Sequence, residues 1–383
     1  MHAGMFTYAW DLEAEGYDRV VGEFADNGVT HINLATAYHA GKFLLPHNPK
    51  HRTFFPEDGS IYFRPDLSRY GRIRPRVNSL VTHTGDPVTR LLDIAGKHSV
   101  GYVAWVVLMH NSWLGARYPD ATMHTAFGDP VTHSLSPAHP DVREYVLAML
   151  GDLVSRHDVA AIELESPSYM SYSHGWHHEI NGVALDDVQE ELLSISFSPF
   201  EVSAARDAGI DAMRARDAVA DLLDRSWNEG FALIQNGQRH DGAEMLLTDP
   251  ELVAYRNWQD DQVVSLATAI RDTVKDANPS TEIRHFAALD GGDAGAALLE
   301  TSDAILAGYA TSDQDAITRV EAAKPLGKKV YGMLRGLPPD TTEPGQITSR
   351  IEAWRSAGVD GIDYYNYGFM PRRNLREIYG ALR

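Results

Sequence analysis

Ala160-Ala161-Ile162-Glu163-Leu164-Glu165 is a short apolar run that ends with two carboxylates at alternate positions. A run of this length, bounded by polar residues, is typical of a buried strand in a parallel sheet. A helical pattern precedes it over residues 141–156, and Pro140 followed by Asp141 is a common start of a helix. The segment therefore predicts a strand that follows a helix and has Glu165 at its carboxyl end.

The same alternation of a β-rich run with a helical pattern recurs along the chain, and such alternation builds a parallel sheet. The eight predicted strands are residues 5–10, 31–39, 102–110, 160–165, 282–289, 304–309, 329–334 and 361–367. Eight strands that alternate with helices predict an α/β protein with the (β/α)8 TIM barrel fold. The competing fold is an open doubly wound sheet, but no Gly-x-Gly-x-x-Gly motif follows the first strand and no Walker glycine loop occurs.

Three connections in the sequence are longer than a barrel needs. The stretch after strand two, to about residue 80, and residues 111–140 after strand three predict long loops, which often serve as lids or binding loops. Residues 168–280 are mostly helical and predict an insertion between strands four and five. We interpret residues 1–383 as one barrel domain, with a separate helical subdomain at 168–280 as the alternative.

Composition excludes several classes of function. The net charge of −19 over 383 residues disfavours nucleic acid and anionic membrane surfaces as partners, because both need clustered Lys and Arg. The chain has no cysteine, so disulfides, thiolate metal sites and cysteine nucleophiles are absent. No stretch reaches the roughly 18 apolar residues of a membrane helix. We expect a cytoplasmic protein without a cofactor, and a homo-oligomer is left open.

Catalytic groups of a parallel barrel lie at the carboxyl ends of its strands. Glu163 and Glu165 share one face of strand four because alternate strand residues point the same way. If that face is inward, burial and mutual repulsion raise the pKa of at least one of them, as general-acid catalysis requires. In the alternative, the pair faces the helices and an arginine holds Glu163.

Asp290 is the candidate for a second carboxylate, because it follows the predicted fifth strand, next to the fourth. Glycosidic bond cleavage commonly uses two such groups. An Asp-Gly-Gly sequence is, however, equally typical of a turn or a helix N-cap.

Aromatic and polar side chains at or beyond the other strand ends are candidates for binding a sugar. Flat rings with polar tips can stack on sugar faces, although each ring alone is more often part of the packing. The candidates are Trp10, Tyr38, His39, His110, Asn111, Trp113, Trp176, His177, Arg335, Tyr365 and Asn366.

The 17 histidines raise the question of a metal site. Neither a His-x-His pair on strand one nor a His-Glu-x-x-His helix provides a recognised ligand spacing. We predict no metal, with a site built from His39, His110, Glu165 and His285 as the alternative.

Five segments carry a resemblance to a family of glycoside hydrolase-like (β/α)8 barrels. They are residues 35–42 (ATAYHAGK), 54–56 (FFP), 62–66 (YFRPD), 136–143 (SPAHPDVR) and 162–165 (IELE), within a likeness that spans about residues 5–200. More distantly, the predicted fourth strand, at residues 161–165 (AIELE), is similar to the fourth strand of chitinase-type hydrolases. This resemblance implies that Glu165 is the catalytic acid. The sequence departs from that family at Glu163, where the family has an aspartate. Strand seven ends in Leu334-Arg335, without the nucleophilic glutamate of many retaining barrel glycosidases.

These observations favour a glycoside hydrolase of a small glycoside or oligosaccharide, with Glu165 as general acid/base and Asp290 or Glu163 as its charged partner. The alternatives are a metal-dependent sugar isomerase or lyase, and a barrel that binds carbohydrate without turnover.

Overall fold

Eight parallel strands form the central sheet in the computed structural model, which describes residues 1–174, 176, 178–286, 289 and 292–383, without the side chain of Asp293. In chain order they are β1 (His2–Thr7), β2 (His31–Tyr38), β3 (Gly101–Val107), β4 (Ala161–Glu165), β5 (Glu282–His285), β6 (Ala304–Tyr309), β7 (Lys329–Arg335) and β8 (Gly361–Tyr365).

The order of hydrogen-bonded strands is β5-β4-β3-β2-β1-β8-β7-β6, and every neighbouring pair is parallel. The sheet curls until its two edges meet, where the amide of Asp303, just before β6, donates a 2.8 Å hydrogen bond to the carbonyl of Ile283 in β5. The strands therefore form a nearly closed barrel, and the predicted α/β TIM barrel is confirmed.

The chain divides into two compact units. The first, called the barrel unit here, comprises Met1–Leu108, Val146–Glu165 and Ala267–Arg383, and the second unit comprises Met109–Tyr145 and Ser166–Leu266. The helices of the barrel unit are Ala9–Glu15, Tyr17–Asp26, Ser79–His83, Pro87–His98, Gly292–Thr301, Asp313–Ala323, Gln346–Ala357 and Arg372–Leu382. Short strands Phe43–Leu44, Thr53–Phe54, Ser60–Ile61 and Arg76–Val77 lie in the connection after β2.

The second unit is mainly helical and has a core of its own, to which Leu192, Phe197, Val219, Leu223 and Tyr255 contribute. Its helices are Ser112–Arg117, Asp187–Leu193, Pro199–Asp207, Ala212–Glu229 and Asp241–Leu247. Two antiparallel pairs, Thr122–His124 with Pro130–Leu135 and Ile234–Gln235 with Gln238–Arg239, complete it. Helices Pro140–Arg156 and Pro250–Ala277 contain residues of both units.

Capping residues and prolines mark where helices begin. In Pro87–His98, for example, Pro87 occupies the first turn, and the carboxylate of Asp86 accepts hydrogen bonds from the amides of Val88 and Thr89. Both features favour the start of a helix there. Pro87 has no backbone N–H that would need an acceptor, and the Asp86 carboxylate accepts hydrogen bonds from two backbone amides that have no partner within the helix. Within the described ranges, no helix has the length and apolar character that spanning a lipid bilayer requires.

Strand β1 lies earlier than the sequence predicts. It starts at His2 rather than residue 5, because His2 to Met5 pair in parallel with Gly361 to Tyr364 of β8. It ends at Thr7, because helix Ala9–Glu15 follows at once and Asp11 accepts a hydrogen bond from the amide of Tyr8. Trp10 therefore lies in a helix and does not end the strand.

Candidate active site

A cavity of about 450 Å³ opens at the carboxyl ends of the barrel strands. Six of the eight strands supply residues to the lining that the structure describes, and Phe286 directly follows a seventh, β5. The lining residues are Tyr38, Trp105, Glu165, Phe286, Tyr309, Arg335, Leu337, Pro338, Tyr365 and Phe369. The strand ends converge there because the strands are parallel and the barrel is nearly closed.

Most of the wall is aromatic, and its hydroxyl groups are linked. The hydroxyl of Tyr8 donates to that of Tyr38 at 2.9 Å and lies 3.4 Å from that of Tyr365. Burial raises the pKa of Tyr8, Tyr38 and Tyr365, so all three are neutral hydroxyls at ordinary pH. Phe6 packs edge-on against Trp105 and Tyr365, with ring centroids 5.0 and 5.5 Å away. The result is an apolar wall with a few fixed polar tips, as small-molecule sites commonly have.

Glu165, the last residue of β4, is the only carboxylate in the described lining. The indole N–H of Trp105 donates a 2.6 Å hydrogen bond to its Oε2 atom. Burial raises the pKa of Glu165, and the Trp105 hydrogen bond opposes that rise, because it favours the ionised form. The cavity thus contains a carboxyl group whose pKa lies above that of a solvent-exposed glutamate.

Arg335, the last residue of β7, is the only cationic side chain in the described lining. Its guanidinium lies over the ring of Tyr309, 4.4 Å from the centroid, and its Nε atom is 3.5 Å from a carboxylate oxygen of Asp340.

Glu163 lies in a second, fully buried layer of the barrel. Asn33 of β2 donates hydrogen bonds of 2.9 and 3.1 Å to its carboxylate, and Arg284 of β5 pairs with it at 3.0 Å. Strands β2 and β4 are not neighbours, so Asn33 and Glu163 can meet only inside the barrel. Both carboxylates of β4 therefore point inward, and Glu163 is also held by an arginine, a combination that neither sequence-based alternative described.

Asp363 of β8 completes this polar layer. Asn33 donates to it at 3.0 Å, and His2 bonds to it at 2.7 Å. Burial, and next the Asp363 charge, raise the pKa of Glu163 to about 8. Burial alone would raise the pKa of Asp363 as well, but His2 and Arg284 lower it to about 2. Near neutral pH, Glu163 is thus mainly protonated and Asp363 ionised.

Comparison with solved structures places this architecture among known folds. An α-L-fucosidase isoenzyme 2 from Paenibacillus thiaminolyticus is 13% identical with a TM-score of 0.58, and a β-galactosidase from the psychrophilic Marinomonas ef1 is 12% identical with a TM-score of 0.60. The PgaB (BpsB) glycoside hydrolase domain from Bordetella bronchiseptica is 12% identical with a TM-score of 0.60. The similar structures are glycoside hydrolases.

The matches cover all of this chain but differing shares of the others. The chain spans 49% of the fucosidase and 59% of the β-galactosidase, but 98% of the PgaB domain. At these identities the likeness establishes the fold, and it agrees with the glycoside hydrolase-like barrel to which the sequence has a resemblance. No protein-family model matches the sequence. No curated protein matches it either.

Four of the sequence-predicted site residues meet in the cavity: Glu165, Tyr38, Arg335 and Tyr365. Four others, Glu163 of the buried layer, Trp10, His39 and Asn366, lie in the barrel unit but outside the described lining. Trp10 stacks on Tyr8 with centroids 4.2 Å apart, and His39 stacks on Tyr38 at the same distance. Asn366 is buried, and its side-chain oxygen accepts a hydrogen bond from the amide of Gly368.

The remaining predicted residues are not in the barrel cavity as described. His110, Asn111, Trp113 and Trp176 belong to the second unit. Asn111 caps helix Ser112–Arg117, and Trp176 lines a cavity of about 830 Å³ within that unit. Asp290 and His177 lie outside the described residues.

Sequence reasoning missed several members of the lining, above all Trp105, Phe286 and Phe369. Trp105 lies two residues before the end of β3, where the pattern predicts only packing. A buried indole N–H usually donates to an acceptor, and the adjacent strand ends in Glu165. The contact between Trp105 and Glu165 could therefore have been predicted from the sequence.

The search for metal-binding clusters was made over the described part of the chain. It contains no group of three or more His, Asp or Glu side chains arranged to hold an ion.

Proposed function

We propose that this chain is a glycoside hydrolase-like enzyme that cleaves a glycosidic bond of a small glycoside or oligosaccharide, with Glu165 as the general acid. The observation that carries the proposal is a buried carboxyl group, with a raised pKa, at the end of a barrel strand in an aromatic-walled cavity. The fold of the similar structures supports the same class of reaction.

The hydrogen bond from Trp105 makes the two oxygens of the Glu165 carboxyl group different. Since the indole N–H donates to Oε2, the other oxygen, Oε1, is left to carry the proton. In the proposed step that proton moves to the glycosidic oxygen as the bond from the anomeric carbon to that oxygen breaks. A water molecule then adds its hydroxyl group to the anomeric carbon and returns its other proton to Glu165. The Trp105 hydrogen bond then stabilises the carboxylate that forms, because a bond to a charged acceptor is stronger.

The charged partner of Glu165 is the less defined part of the proposal. Glu163 is hydrogen-bonded to Asn33 and paired with Arg284 in the layer below, so it supports the site rather than reaching a substrate. Asp290 therefore becomes the preferred partner, and Asp290→Asn tests it directly.

The decisive assay is product release from a panel of aryl glycosides and oligosaccharides. Glu165→Gln keeps the size of the side chain but cannot donate an acidic proton, so the rate should fall by about 10²-fold or more. Glu321→Gln, at an exposed position of helix Asp313–Ala323, is the matched control and should retain the wild-type rate. A Glu165→Gln enzyme with an unchanged rate would remove Glu165 from the mechanism.

A second candidate is a barrel that binds sugar without turnover. It is favoured by one observation: the described lining contains a single carboxylate, whereas glycosidases commonly use two. This candidate predicts that wild-type protein binds a sugar but releases no product, and that Glu165→Gln binds with nearly the same affinity. Metal analysis of the purified protein addresses the remaining alternative, a metal-dependent isomerase or lyase.

A further inference from the structure

The cavity contains one carboxyl group and one guanidinium group, and these two groups do not form an ion pair among the contacts described. Glu165 and Arg335 both belong to its described lining, yet no nitrogen of Arg335 lies within ion-pair distance of the Glu165 carboxylate among the contacts described. The hydrogen bond of Glu165 comes from Trp105 instead. Because Arg335 does not pair with Glu165, the donors that Asp340 leaves unused can bind a negative group of a ligand.

The guanidinium of Arg335 is oriented but only partly satisfied. Its Nε atom is 3.5 Å from Asp340, and its face lies over the ring of Tyr309. Among the described residues, no group accepts a hydrogen bond from either terminal Nη atom of Arg335, and 29% of the side chain is exposed. Stacking on a ring fixes the plane of a guanidinium and leaves its outer N–H donors for a planar, bidentate acceptor.

The cavity lining contains a cation although the chain as a whole is acidic. The net charge of the protein is −19, so its surface as a whole repels anions. Arg335 is the only cationic side chain in the described lining; its Nε atom faces Asp340 at 3.5 Å, while its Nη atoms donate to no group among the described residues. A guanidinium group that lines a cavity and keeps N–H donors for a ligand is suited to a ligand that carries its own negative charge.

We propose that Arg335 determines specificity by binding an anionic substituent of the sugar, either the carboxylate of a hexuronate or a sulfate ester. The inference rests on the proposed function, since it concerns the same cavity. It names a substrate class that the general-acid assignment leaves open: glycosides of acidic rather than neutral sugars.

Direct binding tests this inference without any need for turnover. Isothermal titration calorimetry is carried out with D-glucuronate and D-galacturonate, with the neutral sugars D-glucose and D-galactose, and with glucose 6-sulfate. The wild-type protein should bind at least one acidic sugar about tenfold or more tightly than its neutral counterpart, since hydrogen bonds to charged groups are the stronger ones. Preference for the uronates or for the sulfate identifies the source of the charge.

Two variants and a control link the preference to one side chain. Arg335→Gln removes the charge, and the ratio of affinities for acidic and neutral sugar should fall to about one. Arg335→Lys keeps the charge but loses the planar fork, so its ratio should be intermediate. Arg225→Gln, at an exposed arginine paired with Asp221, is the control and should keep the wild-type ratio. The same ordering is expected in the ratio of kcat/KM for aryl glucuronide and aryl glucoside.

The outcomes separate the two proposals. Arg335-dependent binding of acidic sugars in a protein that hydrolyses nothing would retain the anion site and reject the glycosidase. Equal binding of acidic and neutral sugars by the wild type, or an acidic preference that survives in Arg335→Gln, would overturn the inference. Failure of every sugar to bind at millimolar concentration would overturn it too.

Discussion

Arg284 is the cation on which the buried polar layer of the barrel depends, and replacing it should destabilise the fold severely. The Arg284 side chain is 4% exposed, and its nitrogen atoms lie 3.0 Å from Glu163, 3.6 Å from Asp363 and 2.7 Å from Glu282. Its guanidinium also lies over the ring of Tyr331, 4.0 Å from the centroid. Arg284→Met keeps much of the side-chain length and removes every one of these interactions.

The expected loss follows from burial. Removing one partner of a buried ion pair costs about 3–5 kcal/mol, because the other charge stays buried without compensation. Against a total stability of about 5–15 kcal/mol for a typical native protein, this loss brings the variant close to unfolding. The loss should grow as the pH rises, because Arg284 stabilises only the ionised carboxylates and its removal raises their pKa values in the folded state.

Urea unfolding at about pH 5.5 and pH 8 measures both effects. Glu163→Gln is the informative companion: burial and Asp363 raise the pKa of Glu163 to about 8, so a neutral amide resembles its form at pH 7 and should cost only about 1 kcal/mol. Arg225→Met, at an exposed pair, should change the free energy of unfolding by about 0.5 kcal/mol or less. The reasoning is refuted if Glu163→Gln costs as much as Arg284→Met at pH 5.5, or if the cost of Arg284→Met falls with pH.

Two further predictions concern the site and its support. Trp105→Phe removes the hydrogen bond that favours ionised Glu165, so the pKa of Glu165 should rise. The alkaline limb of the pH–rate profile should then move to higher pH. A shift to lower pH would contradict the general-acid role. Gly4→Ala would bring a Cβ atom to 2.0 Å from the Asp363 carboxylate and should lower the free energy of unfolding by about 3 kcal/mol or more. Its control, Gly96→Ala, lies in open space on a helix and should stabilise the protein by about 0.5–1 kcal/mol. Thermal melting compares the two variants, and equal effects would contradict the tight packing at Gly4.

The barrel could be predicted because its signal is repeated. Each strand is a short run of apolar, often β-branched residues, and each helix has its own start, as at Pro87. Strand β1 shows the limit of this reasoning. His2, Ala3 and Gly4 have little intrinsic β-propensity, and they form a strand because β2 and β8 pair with them on both sides.

The site could be predicted in part, from the rule that the last residue of a barrel strand faces the cavity. That rule is sufficient for Glu165, Arg335 and Tyr365, because their position depends on the strand alone. It fails for Trp105, whose long side chain reaches the cavity from a deeper position. It also could not separate Glu163 from Glu165, because their roles depend on Asn33 and Arg284, which are distant in sequence.

Strand β4 carries two acids about 7 Å apart along the chain direction, one strand repeat. Glu163 takes part in the cross-barrel contacts with Asn33 and Arg284, while the side chain of Glu165 accepts one hydrogen bond among the described residues, from Trp105 on the neighbouring strand. The residues that we propose for ligand binding and those that cross-link the barrel thus lie at different depths of the same strands. Substitutions in the cavity lining leave the contacts of Asn33, Arg284 and Asp363 in place, so we expect ligand preference to change there at a smaller cost in stability than a change in the inner layer.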